Sequence, residues 1–258
     1  MANVKIDIYQ TLKLKKSIHI KNLYGEYLLP IDSHDDLIIN YIKNGKIFDS
    51  EVIDSIKKNY APGSILDIGA NFGQMSIELG KFLIQINSDL KTNFRVYSFE
   101  ANPDVFPYLK HNLHQNCGET CSPVFGAVWN HTGETLYFPK YNRTKESTYG
   151  TYHVNLSGDI RPITTINIDS LHYLDKISVI KTDIQGADLR ALKGAKNLIL
   201  RDTPIIICEY ETRFAKKFGE TYQDYVEFFD SINYKIILDG DLDLNDQNFS
   251  VDILALPN

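Results

Sequence analysis

LDIGANFGQMSIELGK, residues 66–81, holds a strand–turn–helix junction. An apolar run, SILDIG over 64–69, leads into Gly69 and Gly73, four positions apart, and a run with helical spacing follows over 73–86. A short apolar run followed by a helical period predicts a buried strand, a tight turn and a helix. In an open parallel sheet, ligands bind at the carboxyl ends of strands where strand order reverses, and the exit of the first strand is a favoured place. Gly69 lets backbone approach a ligand, and Gly73 lets the turn enter the helix tightly.

Downstream the same alternation repeats. Residues 95–100, 122–129, 178–183 and 204–211 read as strands, and 103–116, 187–200 and 221–232 as helices. Pro103 opens the first of these helices, where its missing N–H costs nothing. Residues 134–139 read as a further strand, and 164–174 as a strand running into a short helix. Two more strands, 234–239 and 251–256, are joined by an acidic link too short for a parallel crossover, which makes them an antiparallel hairpin. Strands alternating with helices predict an α/β, Rossmann-like three-layer sandwich: a mainly parallel seven-stranded sheet, covered on both faces and ending in that hairpin.

Upstream, 17–29 reads as two short strands around a turn at 22–25, and 34–43 and 48–60 as helices, the second with Asp49 or Ser50 as N-cap. Pro62-Gly63 breaks the chain there. The expected division is an N-terminal hairpin and helices, 1–60, packing on a core domain, 61–258. Residues 140–162 are polar and without a clear period, and a loop of that length suits a binding loop, with Tyr141, Tyr149 and Tyr152 placed to stack on a ring.

Twenty-seven Lys and Arg against 33 Asp and Glu leave a net charge of −6, which disfavours a nucleic-acid partner. Lys13, Lys15, Lys16 and Lys21 read as the solvated face of an edge strand. Three cysteines imply no disulfide framework. No leader and no membrane span is expected, so the reading is a cytoplasmic monomer or homodimer. His111, His114, Cys117 and Cys121 are zinc-capable, but they straddle a helix end and a strand start, so no metal site is expected.

The turn is neither a dinucleotide fingerprint nor a P-loop, because Asn71 and Phe72 stand where glycine and a small spacer are wanted and no Gly-Lys-Ser/Thr follows. Asp67 beside it would oppose a pyrophosphate and favour a cationic or neutral ligand with amine groups. Glu100 ends the second strand of the alternation, where a carboxylate accepts from ribose hydroxyls. An adenosine ligand with a positive charge and no diphosphate fits both acids, and S-adenosylmethionine is one.

IGANFGQMS, SFEANPDVFPYLKHNL, FGAVW, TTINIDSL, VIKTDIQGADLRALKGA and PIIICEYE, in that order, resemble the FkbM family of methyltransferases. The resemblance implies a class I methyltransferase fold, S-adenosylmethionine as cofactor in the 61–258 domain, and O-methylation of a sugar, glycan or natural-product hydroxyl. It places Ala127 and Val128 at the adenine. The full expected cofactor set is Asp67, Gly69, Ala70, Asn71, Gly73, Glu100, Ala101, Asn102, Ala127 and Val128. The family reads Asp-Val-Glu-Gly-x-Glu where this chain has Asp183-Ile184-Gln185-Gly186-Ala187-Asp188, so Gln185 replaces one acid and Asp188 shortens another.

Methyl transfer from a sulfonium is an in-line displacement, and an alcohol acceptor must also lose its proton to a positioned base. Asp183 and Glu209 lie at the ends of strands and match family positions, which makes them the catalytic candidates. Asp183 reads equally as a helix N-cap, Glu209 as a partner of Arg213, and Asp183 with Asp188 as ligands of a divalent ion. A protein acceptor, or a catalytically silent nucleoside-binding module on the same fold, are the alternatives left open.

Overall fold

A computed structural model describes residues 17–31, 36–139, 149, 153–156, 161–172, 174–238 and 243–258. Its centre is β3, Ser64–Ile68, every residue of which is buried. Side chains alternate across the sheet as the pleat requires. Leu66 and Ile68 enter one apolar cluster, and Ile65 enters the other.

Five strands are parallel: β3, β4 (Val96–Glu100), β5 (Cys121–Phe125), β9 (Ile177–Thr182) and β10 (Ile205–Glu211). The hairpin expected at the chain's end is present. β12 (Ser250–Pro257) pairs antiparallel with β11 (Tyr234–Leu238), and it also inserts beside β10, again antiparallel. The seven-stranded order is β11-β12-β10-β9-β3-β4-β5, so the chain runs outward from β3 on one side and then from β9 on the other. The gap between the exits of β3 and β9 is therefore the switch point, where helices leave to opposite faces.

One face carries α2 (Ser50–Asn59), α3 (Gln74–Leu90) and α4 (Phe106–Cys117), through Ile56, Ile77, Leu83, Leu109 and Leu113. The other carries α5 (Asp188–Lys193), α6 (Lys196–Asp202) and α8 (Tyr222–Ser231), through Leu189, Leu192, Ile199, Tyr225 and Phe229. A four-residue helix, α7 (Thr212–Ala215), follows β10 directly. At the N-terminal side β1 (Ser17–Asn22) and β2 (Gly25–Pro30) form the expected hairpin, and Lys21 projects from it to Glu26. Lys13, Lys15 and Lys16 lie outside the described residues.

Three expectations are corrected. Residues 122–129 are not one strand. Gly126, at φ +151, breaks the run, and a Cβ there would sit 2.5 Å from Ile166 Cδ1. The chain leaves the main sheet, and β6 (Ala127–Val128) joins a small second sheet with β8 (Pro162–Ile166) and β7 (Thr135–Tyr137). Residues 187–200 are two helices, because a Cβ on Gly194 would lie 2.1 Å from the Trp129 carbonyl oxygen and the backbone bends to pack there. The helix over 34–43 is α1, Leu37–Lys43, with Asp36 as its cap: Asp36 Oδ1 accepts from the Ile39 amide at 2.9 Å.

Candidate active site at the switch point

A cavity of about 520 Å³ opens where β3, β4, β9 and β10 end, within the size range of small-molecule sites. Its floor is the β3–α3 turn, and Leu37, Ile38, Phe48, Asp49 and Val52 from α1, α2 and their link also line it. Gln74 holds that link in place: its side chain accepts from the Phe48 amide at 2.9 Å and donates to the Lys46 carbonyl at 2.6 Å. Tyr149, His153 and Val154 line the cavity too, while Tyr141 and Tyr152 lie outside the described residues. Tyr149 donates its amide to Asp36 Oδ2 at 2.6 Å and sets its ring edge-on to Phe72.

Gly69 has φ +90, and a Cβ there would lie 2.0 Å from the Asp183 carbonyl oxygen. What approaches Gly69 is thus the exit of β9, tied to β3 by a bond from the Asp183 amide to the Ile68 carbonyl at 3.0 Å. Gly73, at φ +89, presses on Leu109 and Leu113 of α4, as a tight entry into α3 requires. The amides of Gly69 and Ala70 both donate to the Phe99 carbonyl, at 3.0 and 2.9 Å. The turn is thereby stitched to β4, whose last residue is Glu100.

Glu100 is held by backbone. Its Oε2 accepts from the Asn71 amide at 2.9 Å and its Oε1 from the Asn102 amide at 2.7 Å. Burial nevertheless pushes its carboxyl up to about 7, against those bonds. Each oxygen keeps a lone pair for a further donor. Two acceptor atoms lining the cavity, Asp67 Oδ1 and Asn71 Oδ1, are buried with no hydrogen-bond partner among the described residues. Orphaned acceptors beside a carboxylate suit a ligand rich in N–H and O–H donors. This acceptor set therefore fits an amino-acid-bearing nucleoside such as S-adenosylmethionine. Ala101, Asn102, Ala127 and Val128 border the same end.

Asp67 is fully buried, and its other oxygen is taken by Ser76 Oγ of α3, which also bonds Ser98 Oγ at 2.8 Å. Its free oxygen looks to Lys181, 3.7 Å away. Lys181 stands in the middle of the wall, 3.6 Å from Asp183 on its other side. Burial pulls this ammonium toward the neutral form, but Asp183, Asp67 and Asp49 outweigh it and hold its pKa above the ordinary lysine range. Lys181 was not among the residues expected at the site; a lysine inside a strand otherwise buried throughout was the available signal.

Asp183 faces the cavity, one third exposed, with Gln185 Nε2 at 3.4 Å. It is not a helix cap, because Ala187 occupies the N-cap of α5. Asp188 does not join it as a metal ligand. Its carboxylate turns inward and accepts from Thr182 Oγ1 at 2.9 Å and the amides of Ile184 and Gly186 at 3.3 and 3.1 Å. Burial pushes that carboxyl up to about 7. Asp188 thus fastens the 183–187 turn, where Gln185 and Gly186 both have positive φ.

Glu209 does not pair with Arg213. Arg213 bonds Glu211 instead, at 3.2 Å, and Glu209 accepts from Ser250 Oγ at 2.7 Å. Burial and the charge of Asp183 push its carboxyl up to about 9. Asp49 sits at the N-cap position of α2 but makes no capping bond; it is left-handed at φ 52, and burial with Asp183 nearby raises it to about 6. A strained non-glycine residue lining a cavity is a functional signal that a cap reading hides. The four zinc-capable side chains do not converge: Cys117 and Cys121 point under α3 at the carbonyls of Ile77 and Ser76, and His111 and His114 face solvent.

This sheet order, with a ligand-sized cavity at its switch point, defines a class I methyltransferase fold. Within that class the chain belongs to the methyltransferase FkbM domain family, whose model matches residues 67–236. Over 111 residues it is 31% identical to the hexuronic acid methyltransferase AglP of Haloferax volcanii, a match covering 42% of this chain and 44% of that protein. The chain thus spans less than half the length of that curated relative. Among solved structures it is similar to methyltransferase FkbM from Methylobacillus flagellatus KT (17% identity, 84% of this chain, 52% of that one, TM-score 0.45). It is also similar to Trm5b from Pyrococcus abyssi (14% identity, 95% and 56% covered, TM-score 0.49). No described helix is long and apolar enough to cross a membrane.

Proposed function

We propose that this chain is an S-adenosylmethionine-dependent methyltransferase that methylates a hydroxyl on a sugar or glycan. The observation that carries the reading is the cradle at the β3 and β4 exits: Glu100 posed by two amides beside the buried Asp67 and Asn71 oxygens, which accept no hydrogen bond among the described residues. Family membership supports methyl transfer, and the relative named for hexuronic acid supports a sugar acceptor.

Bound S-adenosylmethionine supplies a methyl group already activated by its sulfonium. Glu100 accepts from the ribose hydroxyls, and the orphaned oxygens of Asp67 and Asn71 take donors of the amino-acid portion. Ala127 and Val128 flank the adenine. At the far wall Asp183 orients the acceptor hydroxyl and takes its proton, with Lys181 paired to that carboxylate 3.6 Å away. Glu209, raised to about 9, is protonated at neutral pH, so it serves as a hydrogen-bond donor to the acceptor rather than as the base. The side chains roofing the cavity exclude water from the reacting centre.

Calorimetric titration with S-adenosylhomocysteine tests the cradle, and release of S-adenosylhomocysteine in the presence of sugar alcohols tests the reaction. Absence of binding at about millimolar ligand, which corresponds to roughly −4 kcal/mol, removes the reading. Binding without turnover on any hydroxyl acceptor leaves a nucleoside-binding module.

A further inference from the structure

Asp49 lines the cavity from the start of α2 and holds the N-cap position there without acting as a cap. An aspartate that caps a helix has extended backbone and accepts from the second or third amide of that helix. Asp49 is left-handed instead, at φ 52 and ψ 45, and its side chain makes no capping bond. Six non-glycine residues among those described have positive φ. Lys91 and Thr203 end α3 and α6, and Asn233 follows α8, where a left-handed residue is an ordinary way to stop a helix. The other three, Asp49, Asn71 and Gln185, all line the cavity. A helix start gives Asp49 no reason for its strain, which points to what its side chain faces.

The link that carries Asp49 is tied to the turn at the cavity floor. Gln74, the buried first residue of α3, accepts from the Phe48 amide at 2.9 Å and donates to the Lys46 carbonyl at 2.6 Å. Asp49 is the next residue, so its place relative to the β3–α3 turn is fixed. Its carboxylate acts on the Lys181 ammonium together with those of Asp183 and Asp67, and Asp67 lies 3.7 Å from that ammonium. Asp49 and Asp67 are thus gathered about one point, from the N-terminal helices and from the sheet.

The amino-acid portion of S-adenosylmethionine brings an α-ammonium with three N–H donors, and donors withdrawn from water need acceptors. Asp67 Oδ1 and Asn71 Oδ1 supply two in the reading above. Resting on that reading, we propose that Asp49 is a cofactor-binding residue whose carboxylate is the third acceptor for the α-ammonium. Its left-handed backbone then serves the ligand and not the helix.

Three probes that share adenosine and a thioether test this: S-adenosylhomocysteine, with ammonium and carboxylate; S-adenosyl-3-thiopropylamine, with the ammonium alone; and 5′-methylthioadenosine, with neither. Affinities are measured by calorimetric titration at pH 8, above the Asp49 carboxyl, which burial and Asp183 raise to about 6. Asp49→Asn is expected to bind the first two at least about tenfold more weakly than the unmodified chain does, as for a lost charge-assisted bond, and the third within about threefold. Asparagine and glycine both accept left-handed backbone and both start helices. Melting temperatures of ligand-free Asp49→Asn and Asp49→Gly are therefore expected to equal or exceed that of the unmodified chain, which a merely structural Asp49 does not give. An equal loss on all three probes, no loss on either ammonium-bearing probe, or lowered melting temperatures in both variants overturns the proposal while leaving Glu100 and the β3–α3 turn as the cofactor site. Failure of the unmodified chain to bind S-adenosylhomocysteine instead removes the methyltransferase reading on which it rests.

Discussion

Lys181 Nζ stands 3.6 Å from Asp183 Oδ2 and holds that carboxylate against the cavity wall. The contact separates two roles that the position after a strand allows. A cap would bond the first amides of α5, whereas Asp183 faces the cavity and the cap position is Ala187. Asp183→Asn keeps the side-chain volume and removes the basicity. Turnover is expected to fall about 10²–10⁴-fold, as for loss of a general base. Affinity for S-adenosylhomocysteine and the urea midpoint are expected to stay near the unmodified values. Single-turnover rates beside calorimetry check this, and a variant within about twofold in rate excludes Asp183 as base.

Lys181 itself has a structural consequence. Lys181→Met leaves Asp67 fully buried, with Ser76 as its one remaining side-chain partner among the described residues. Breaking a buried pair by removing one member costs about 3–5 kcal/mol. Urea denaturation at pH 8 reads the loss, and Asp67→Asn in the same background is expected to restore a substantial part of it. No recovery in the double variant shows that the cost comes from packing of the lysine stem rather than from the stranded charge.

The alternation of apolar runs and helical periods, the glycine turn and the hairpin were legible because each is a local pattern of spacing. The residues that escaped are those whose reason lies far along the chain. SPVFGAVW reads as one strand, yet Gly126 breaks it to make room for Ile166. Asp49 reads as a cap because helix-start chemistry is local, while its actual surroundings, Asp183, Lys181 and Asp252, come from β9 and β12. Asp188 has the composition of a ligand, but it lies fully buried, within bonding reach of Thr182 and two turn amides. Residue type and period show which groups exist; which group faces which is settled by strand order.

Gly69 gives a test of the turn. At φ +90, with a Cβ 2.0 Å from the Asp183 carbonyl oxygen, Gly69→Ala pays both backbone strain and a backbone clash. Gly219 is the control: its φ is +73 with ψ 25, in the left-handed region, and a Cβ there meets nothing within 4 Å. Gly219→Ala is expected to cost the left-handed term alone, about 1–2 kcal/mol. Gly69→Ala is expected to cost at least about 2 kcal/mol more, since a clash with a hydrogen-bonded strand exit has no cheap relief. Thermal melts of the two variants measure the difference, and equal losses mean that β9 yields easily at this point.

Glu100 couples the cofactor site to pH. Its carboxyl, near 7 in the fold, lies above the ordinary glutamate value of about 4.3. The folded state therefore holds this proton more tightly than the unfolded chain. The stability it contributes is fully present below about pH 4 and is lost as pH rises toward and through 7. Asp188 and Asp49, raised to about 7 and about 6, push the same way, so the comparison must isolate Glu100. Glu100→Gln does so: one amide of the Asn71 and Asn102 pair loses its acceptor, which lowers the baseline, but the titration disappears. Between pH 5 and 8 the melting temperature of the unmodified chain is expected to fall more steeply than that of Glu100→Gln. Ligand affinity runs the opposite way, because ribose hydroxyls need an ionised acceptor. S-adenosylhomocysteine is expected to bind the unmodified chain more tightly from pH 6 to 8, and Glu100→Gln at least about tenfold more weakly at pH 8 with little pH dependence, in line with the loss of a charge-assisted bond. Parallel melting curves, or a pH-independent affinity in the unmodified chain, place the titrating group elsewhere and remove Glu100 from the ribose.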